Sequence, residues 1–228
     1  FCAFFFKILF IKIKIIHIHH INHYYLKKYK TLGLFKFYLI HLSFMAADIC
    51  NVVRVYVNKK MIINLGKKRN IIGIDNGVSI KINNKHKENV ITKSKQKFQQ
   101  MIFIGRLGTQ KNLINTIYAL HECRNFNFKF DIYGEGELYN AINNLIKKLN
   151  MENKVSLKGY IANPADIIGK YNVLLQPSLF EGLSLSLLES WLYGLSIIST
   201  KDSLVPDWIA NNNSCYISPN NSIDNISK

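Results

Sequence analysis

The chain has 228 residues, enough to bury one large or two small cores, and its 48% apolar and 19% charged residues are ordinary for a globular protein, which excludes wholesale disorder. The four cysteines, Cys2, Cys50, Cys123 and Cys215, form no C-x-x-C pair, so neither a structural zinc site nor a disulfide framework is indicated, and the pattern fits a reducing compartment. The net charge of +16 is local: 19 of the 30 Lys and Arg but 3 of the 14 Asp and Glu precede residue 99, and the two signs balance beyond it.

Residues 1–6 open an apolar run that Lys7, Lys12 and Lys14 interrupt well short of the about 18 residues a spanning helix needs. No small-residue cleavage site follows, so no secretory signal is predicted. Residues 11–19 alternate and predict a strand; residues 38–48 predict a helix, and residues 52–57 and 71–74 predict short strands. The turn Asp75-Asn76-Gly77 closes the last of these. Lysines at 81, 85, 87, 93, 95 and 97 then mark a polar stretch. The organisation this predicts is a domain over residues 1–90, a linker over 91–98 and a second domain over 99–228.

Beyond the linker, strands and helices alternate. Strands are predicted at 101–104, 126–132, 155–157, 173–176 and 196–199, and helices at 111–123, 138–149, 165–170 and 185–193. That alternation implies a parallel sheet with helices on both faces, an α/β fold whose ligands lie outside the carboxyl ends of the strands.

Three groups of polar residues fall at such ends. Gly105, Arg106 and Lys111 follow a strand and open a helix, placing two cations beside helix amides where a diphosphate is well held. Gly134-Glu135-Gly136 follows the Phe-rich strand; Tyr139 stands where a dinucleotide fingerprint has its third glycine, so a tight turn is the plainer reading. Pro177-Ser178-Leu179-Phe180-Glu181-Gly182-Leu183-Ser184 precedes a helix that carries Glu189. Its backbone N–H groups at Gly182, Leu183 and Ser184 suit a phosphate, and its two carboxylates suit sugar and ribose hydroxyls.

His17, His19, His20 and His23 cluster near one strand. His17 and His19 share a strand face at a spacing that ligates metals, but no third ligand is identifiable, so no metal is expected. The lysines before residue 99 suit either an anionic membrane surface or plain solvation. No aromatic-interleaved or helix-turn-helix pattern accompanies them, so nucleic acid is not an expected partner.

Taken in order, Gly105-Arg106 with Lys111-Asn112, Gly134-Glu135-Gly136, Lys158-Gly159-Tyr160, Pro177-Ser178-x-x-Glu181-Gly182-Leu183 with Glu189, and Gly194 resemble the donor domain of family 4 retaining glycosyltransferases of the GT-B fold. The Glu-x7-Glu spacing is that family's signature and runs here from Glu181 to Glu189. The resemblance covers residues 99–218 closely and 10–98 loosely, through Asn76-Gly77-Val78.

It implies two Rossmann-like parallel-sheet domains, the N-terminal one incomplete, and a chain truncated at both ends. It also implies transfer of a hexose or N-acetylhexosamine from a nucleoside-diphosphate sugar to a glycan or lipid-linked acceptor, with retention and without a cofactor or metal. Arg106 and Lys111 would then hold the diphosphate, Glu189 the ribose, and Glu181 with Gly182, Leu183 and Ser184 the transferred sugar and its phosphate. Backbone near Gly159 and Tyr160 would face the base, and His19 best matches the family's first-domain histidine, with His20 as rival. Asp202-Ser203 departs from the family's usual Gly-Gly pair, and Ser184 from its usual Pro or Phe. A nucleotide-sugar epimerase of the same fold and an inactive nucleotide-sugar-binding remnant are the alternatives. The expected location is cytoplasmic, peripheral at the inner face of the membrane.

Overall fold

The structure, a computed structural model, describes residues 16–19, 49–52, 70–73, 76–78, 99–203 and 205–219. The chain divides into two compact units, Phe1–Asn76 and Gly77–Lys228. In the first, β1 (Ile16–His19), β2 (Ile49–Val52) and β3 (Asn70–Gly73) form a parallel sheet in that order, with Ile16 opposite Ile49 and Ile49 opposite Asn70. β2 begins ahead of the strand predicted at 52–57. The predicted helix at 38–48, the linker at 91–98 and His20 lie outside the described residues.

The second unit is built on a six-stranded parallel sheet. Its strands are β4 (Gln99–Ile104), β5 (Phe128–Tyr133), β6 (Val155–Gly159), β7 (Val173–Gln176), β8 (Ser196–Thr200) and β9 (Cys215–Ser218). Between them run α1 (Leu113–Glu122), α2 (Tyr139–Lys148), α3 (Ala165–Ile168), α4 (Leu185–Leu192) and α5 (Asp207–Ala210). Parallel strands need such crossovers, because a hairpin cannot reverse the chain direction twice.

The spatial order is β6-β5-β4-β7-β8-β9. The chain starts at the centre, builds outward to β6, then returns past β4 to β7 and builds the other way. Loops after β4 and β7 therefore diverge from neighbouring strands and leave a crevice between them, the topological switch point at which open α/β sheets bind ligands. Backbone pairing there is brief: only Met101 with Val173 and Ile102 with Leu174 are in register.

Burial follows from this order. Met101, Ile102 and Phe103 are all buried, as a central strand covered on both faces requires. In β5 Phe128, Phe130 and Ile132 face the core, while Asp131 and Tyr133 share the other face. α1 contributes Leu113, Ile117 and Leu120 to the same cluster, and α2 contributes Ile142, Leu145 and Ile146. Leu107, in the loop after β4, is fully buried in that cluster and so ties a functional loop to the core.

Several details differ from the sequence reading. The helix predicted at 111–123 begins at Leu113, because Thr109–Lys111 is a 3-10 turn and Asn112 adopts a left-handed conformation, φ 58°, between the two. Asparagine tolerates that geometry better than other residues with a Cβ. Phe126 lies before β5 and is exposed. α5 and β9 were not predicted; four residues each is too short to display a period.

Glycines set the spacing of the loops above the sheet. A Cβ on Gly134 would lie 1.8 Å from the Gly105 carbonyl oxygen, and one on Gly136 would lie 2.5 Å from that of Leu107. The β5–α2 loop thus packs its backbone directly on the β4–α1 loop, with Gly105 N–H donating to Tyr133 O (3.0 Å) and Leu107 N–H to Glu135 O (2.8 Å). The tight turn anticipated at Gly134–Gly136 is therefore a contact between two loops. Gly159 is different: its φ is +74°, yet a Cβ there would meet nothing within 4 Å. Gly134→Ala should cost about 3 kcal/mol or more, because backbone must separate. Gly159→Ala should cost only about 1–2 kcal/mol of left-handed strain. Urea unfolding of both variants checks this, and equal losses would contradict it.

Candidate functional site

The strand ends assemble a cleft of about 310 Å³, lined by Ile104, Gly105, Arg106, Tyr133, Gly134, Glu135, Tyr160 and Ile161. Five of these, Gly105, Arg106, Gly134, Glu135 and Tyr160, were singled out from the sequence, and the fold brings them together. Tyr133 was missed. It ends β5 on the face away from the core, and its hydroxyl meets that of Tyr171 at 3.1 Å, which donates in turn to Asp131 at 2.8 Å. Burial, then these two hydrogen bonds, push the Tyr171 phenol far above its ordinary range, so it stays a neutral donor.

A second cluster stands beside the cleft. Lys111, last residue of the 3-10 turn, forms an ion pair with Glu181 in the loop after β7. The side chains are 16% and 8% exposed, so water screens the pair little. The same carboxylate oxygen, Oε1, accepts from Ser178 Oγ at 2.7 Å and from Gln176 Nε2 at 3.5 Å, while Oε2 accepts from Gln110 Nε2 at 3.4 Å. A buried carboxylate is tolerated only when paired and hydrogen-bonded in this way. The loop beneath is stitched by hydroxyls: Ser199 and Ser203 donate to Gln176 O, and Thr200 and Ser203 to Ser178 O. The two clusters adjoin, because a Cβ on Gly105 would lie 3.5 Å from Lys111 Cε.

Arg106 sits at the mouth. Its Nε and Nη2 donate to Glu137 Oε2 at 3.3 and 3.1 Å, in a pair 78% and 52% exposed. The Glu137 carboxyl is held below its ordinary range, first by a hydrogen bond from its own backbone N–H and then by the Arg106 charge. Both cations predicted for a diphosphate therefore already have a carboxylate partner. An exposed pair is weak and readily exchanged for a stronger anion. A buried pair resists separation, but an ammonium has three N–H donors and serves a second acceptor without leaving the first.

Ser184 caps α4, accepting from Leu187 N–H at 3.4 Å and sharing a 2.9 Å contact with Ser186 Oγ, so its hydroxyl is engaged. The first-turn amides of α4 have no acceptor within the helix and carry its positive dipole end. Leu183 is buried and packs, while Gly182 stays partly open. Glu189, one turn on, is the counterpart of Glu181 in reverse: half-buried, with no side-chain hydrogen bond or ion pair among the described residues. Burial raises its pKa.

His19 ends β1 in the other unit. Among the described residues no group of three or more His, Cys, Asp and Glu is gathered as metal ligands, and no helix is long and apolar enough to cross a membrane.

The family model described as Glycosyl transferases group 1 matches residues 84–228. The chain is 26% identical over 209 residues to the poly(ribitol-phosphate) alpha-N-acetylglucosaminyltransferase of Staphylococcus aureus, covering 91% of this chain and 41% of that protein. It is 36% identical over 106 residues to an N-acetylgalactosamine-N,N'-diacetylbacillosaminyl-diphospho-undecaprenol 4-alpha-N-acetylgalactosaminyltransferase of Campylobacter jejuni, 46% of this chain and 28% of the other. The chain thus spans less than half the length of these curated relatives. Among solved structures it is similar to a TarM variant of S. aureus crystallised with fondaparinux, alpha-GlcNAc-glycerol and UDP, at a TM-score of 0.75 and 24% identity over 94% of this chain and 42% of that one.

The burial of Glu189 with no partner among the described residues has a consequence for stability. Its folded pKa lies above the unfolded value of about 4.3, so the folded state holds the proton more tightly and stability falls as pH rises between the two. Glu189→Gln removes that penalty. It should be more stable than the wild type near pH 7, and the advantage should vanish below the unfolded pKa. A gain from Glu189→Gln in urea unfolding that stays constant from pH 7.5 to 4 would contradict this.

Proposed function

The chain belongs to the group 1 glycosyl transferases, and from that premise we propose that it carries the donor-binding half of a retaining enzyme. Its donor is a nucleoside-diphosphate sugar, and its acceptor a glycan or a lipid-linked saccharide. The observation that carries this reading is the buried Lys111–Glu181 pair at the switch point, beside a cleft whose mouth holds Arg106. Two further facts support it. The relatives bear names of sugar transferases acting on poly(ribitol-phosphate) and on an undecaprenol-linked saccharide. The TarM variant, of like fold, was crystallised with UDP.

On this reading the nucleobase enters the 310 Å³ cleft between Tyr133 and Tyr160, and Glu189 accepts from the ribose hydroxyls. Arg106 exchanges Glu137 for the diphosphate. Lys111 keeps Glu181 and turns a second N–H toward the phosphate, with the α4 amides on its other side. As the C1–O bond to the diphosphate breaks, the electron pair stays on the diphosphate, and the acceptor hydroxyl bonds to C1 on the same face and gives its proton to the departing diphosphate oxygen. The developing charge lies where fixed cations and a helix dipole already point, which is the arrangement that lowers a barrier most effectively. These groups supply positive potential without a metal. The sugar moved is a hexose or N-acetylhexosamine. The +16 charge before residue 99 suits peripheral contact with an anionic membrane, where a lipid-linked acceptor resides, at the cytoplasmic face.

The two glutamates separate in a single experiment on the full-length protein, with UDP in calorimetry and initial rates on UDP-sugars. Glu189→Ala should lose about 1.5–3 kcal/mol of UDP binding, roughly tenfold to a hundredfold. Glu181→Gln should keep UDP affinity or improve it, since Lys111 is no longer neutralised, while turnover falls sharply. If both variants lose UDP affinity alike, the assignment of roles is wrong.

A further inference from the structure

We propose that Gln110 is a positioning residue that orients Glu181 toward the transferred sugar, an inference that rests on the transferase reading above. Gln110 reaches across the crevice three times. Its carbonyl accepts from Leu179 N–H at 2.8 Å, and its side-chain Nε2 donates to Phe180 O at 2.7 Å and to Glu181 Oε2 at 3.4 Å. The middle residue of the 3-10 turn is thereby fastened to three successive residues of the opposite loop.

The division of labour on the carboxylate gives Gln110 its role. Oε1 accepts from Lys111, Ser178 and Gln176, which fills its lone pairs. Among the described residues Oε2 holds one long bond, from Gln110, and keeps a lone pair for another donor. A substrate hydroxyl is served by Oε2, and the Gln110 amide fixes where Oε2 stands. Without it, Oε1 stays anchored by three donors while the Oε2 end turns about that anchor. A misplaced carboxylate of this kind costs rate more than binding, because the hydroxyl contact matters most in the transition state.

The variants Gln110→Met and Gln110→Glu test this in the full-length protein. Both retain the side-chain length and the backbone bond from Leu179, which with the Lys111–Glu181 pair still ties the two loops. Initial rates of nucleoside diphosphate release across UDP-, GDP- and ADP-hexoses and N-acetylhexosamines find the working donor, and kcat, donor KM, UDP affinity and Tm are then compared. Gln110→Met removes the bonds to Phe180 O and to Glu181 Oε2. Loss of the second, a hydrogen bond to a charged group, should lower kcat by about fivefold to thirtyfold, with KM and UDP affinity within about twofold. Gln110→Glu should be slower still, since it sets a carboxylate against Glu181 and the Phe180 carbonyl. An active wild type with Gln110→Met equally active overturns this inference alone. So does a fall in kcat matched by falls in UDP affinity and Tm, the mark of a merely structural role. A wild-type protein that turns over none of these donors overturns the transferase reading, and the inference with it.

Discussion

A carboxylate below the surface needs a partner, and in this protein Glu181 finds its partner on the other side of the sheet's switch point. Lys111 comes from the loop after β4 and Glu181 from the loop after β7, strands that are neighbours in space but 70 residues apart in the pair that joins them. The ion pair, with the Gln110 hydrogen bonds beside it, holds two loops that the topology would otherwise let diverge. The crevice is thereby fixed in width and polarity before any ligand arrives. Preorganised charge of this sort is worth more than charge that must be gathered during reaction.

The cleft beside it depends on a different constraint, the close approach of backbone to backbone. Gly134 and Gly136 let the β5–α2 loop lie on the β4–α1 loop with no side chain between them. Leu107 anchors the lower loop in the core, and the Asp131–Tyr171–Tyr133 hydrogen bonds fix one aromatic wall. Arg106 is exposed and loosely paired, which suits the group that must change partners when an anion enters.

Much of this was legible in the sequence. The alternation of period-2 and period-3.6 segments from 99 to 200 marks five of the six strands of the second unit, and the order of Arg106, Lys111, Glu181 and Glu189 points to the crevice. What escaped was set by tertiary contact. Nothing local says that Asn112 turns left-handed and detaches Lys111 from the helix, or that Glu137 pairs with Arg106. Ser178 lies three residues before Glu181 and Gln176 ends a strand; both positions hint at ligation, but only the fold shows that they and Gln110 converge on one carboxylate. Tyr133 reads as an ordinary strand residue until the cleft forms around it.

The claim that one buried pair holds the site together is tested most directly by a double-mutant cycle on stability, using Lys111→Met, Glu181→Gln and the two combined. Each single change should cost about 2–4 kcal/mol, because each leaves a desolvated group without its partner. The double change should cost little more than either alone, giving a coupling energy of about 1–3 kcal/mol in urea unfolding. Single losses that add to within about 0.5 kcal/mol would show that the two residues act independently and would contradict the account.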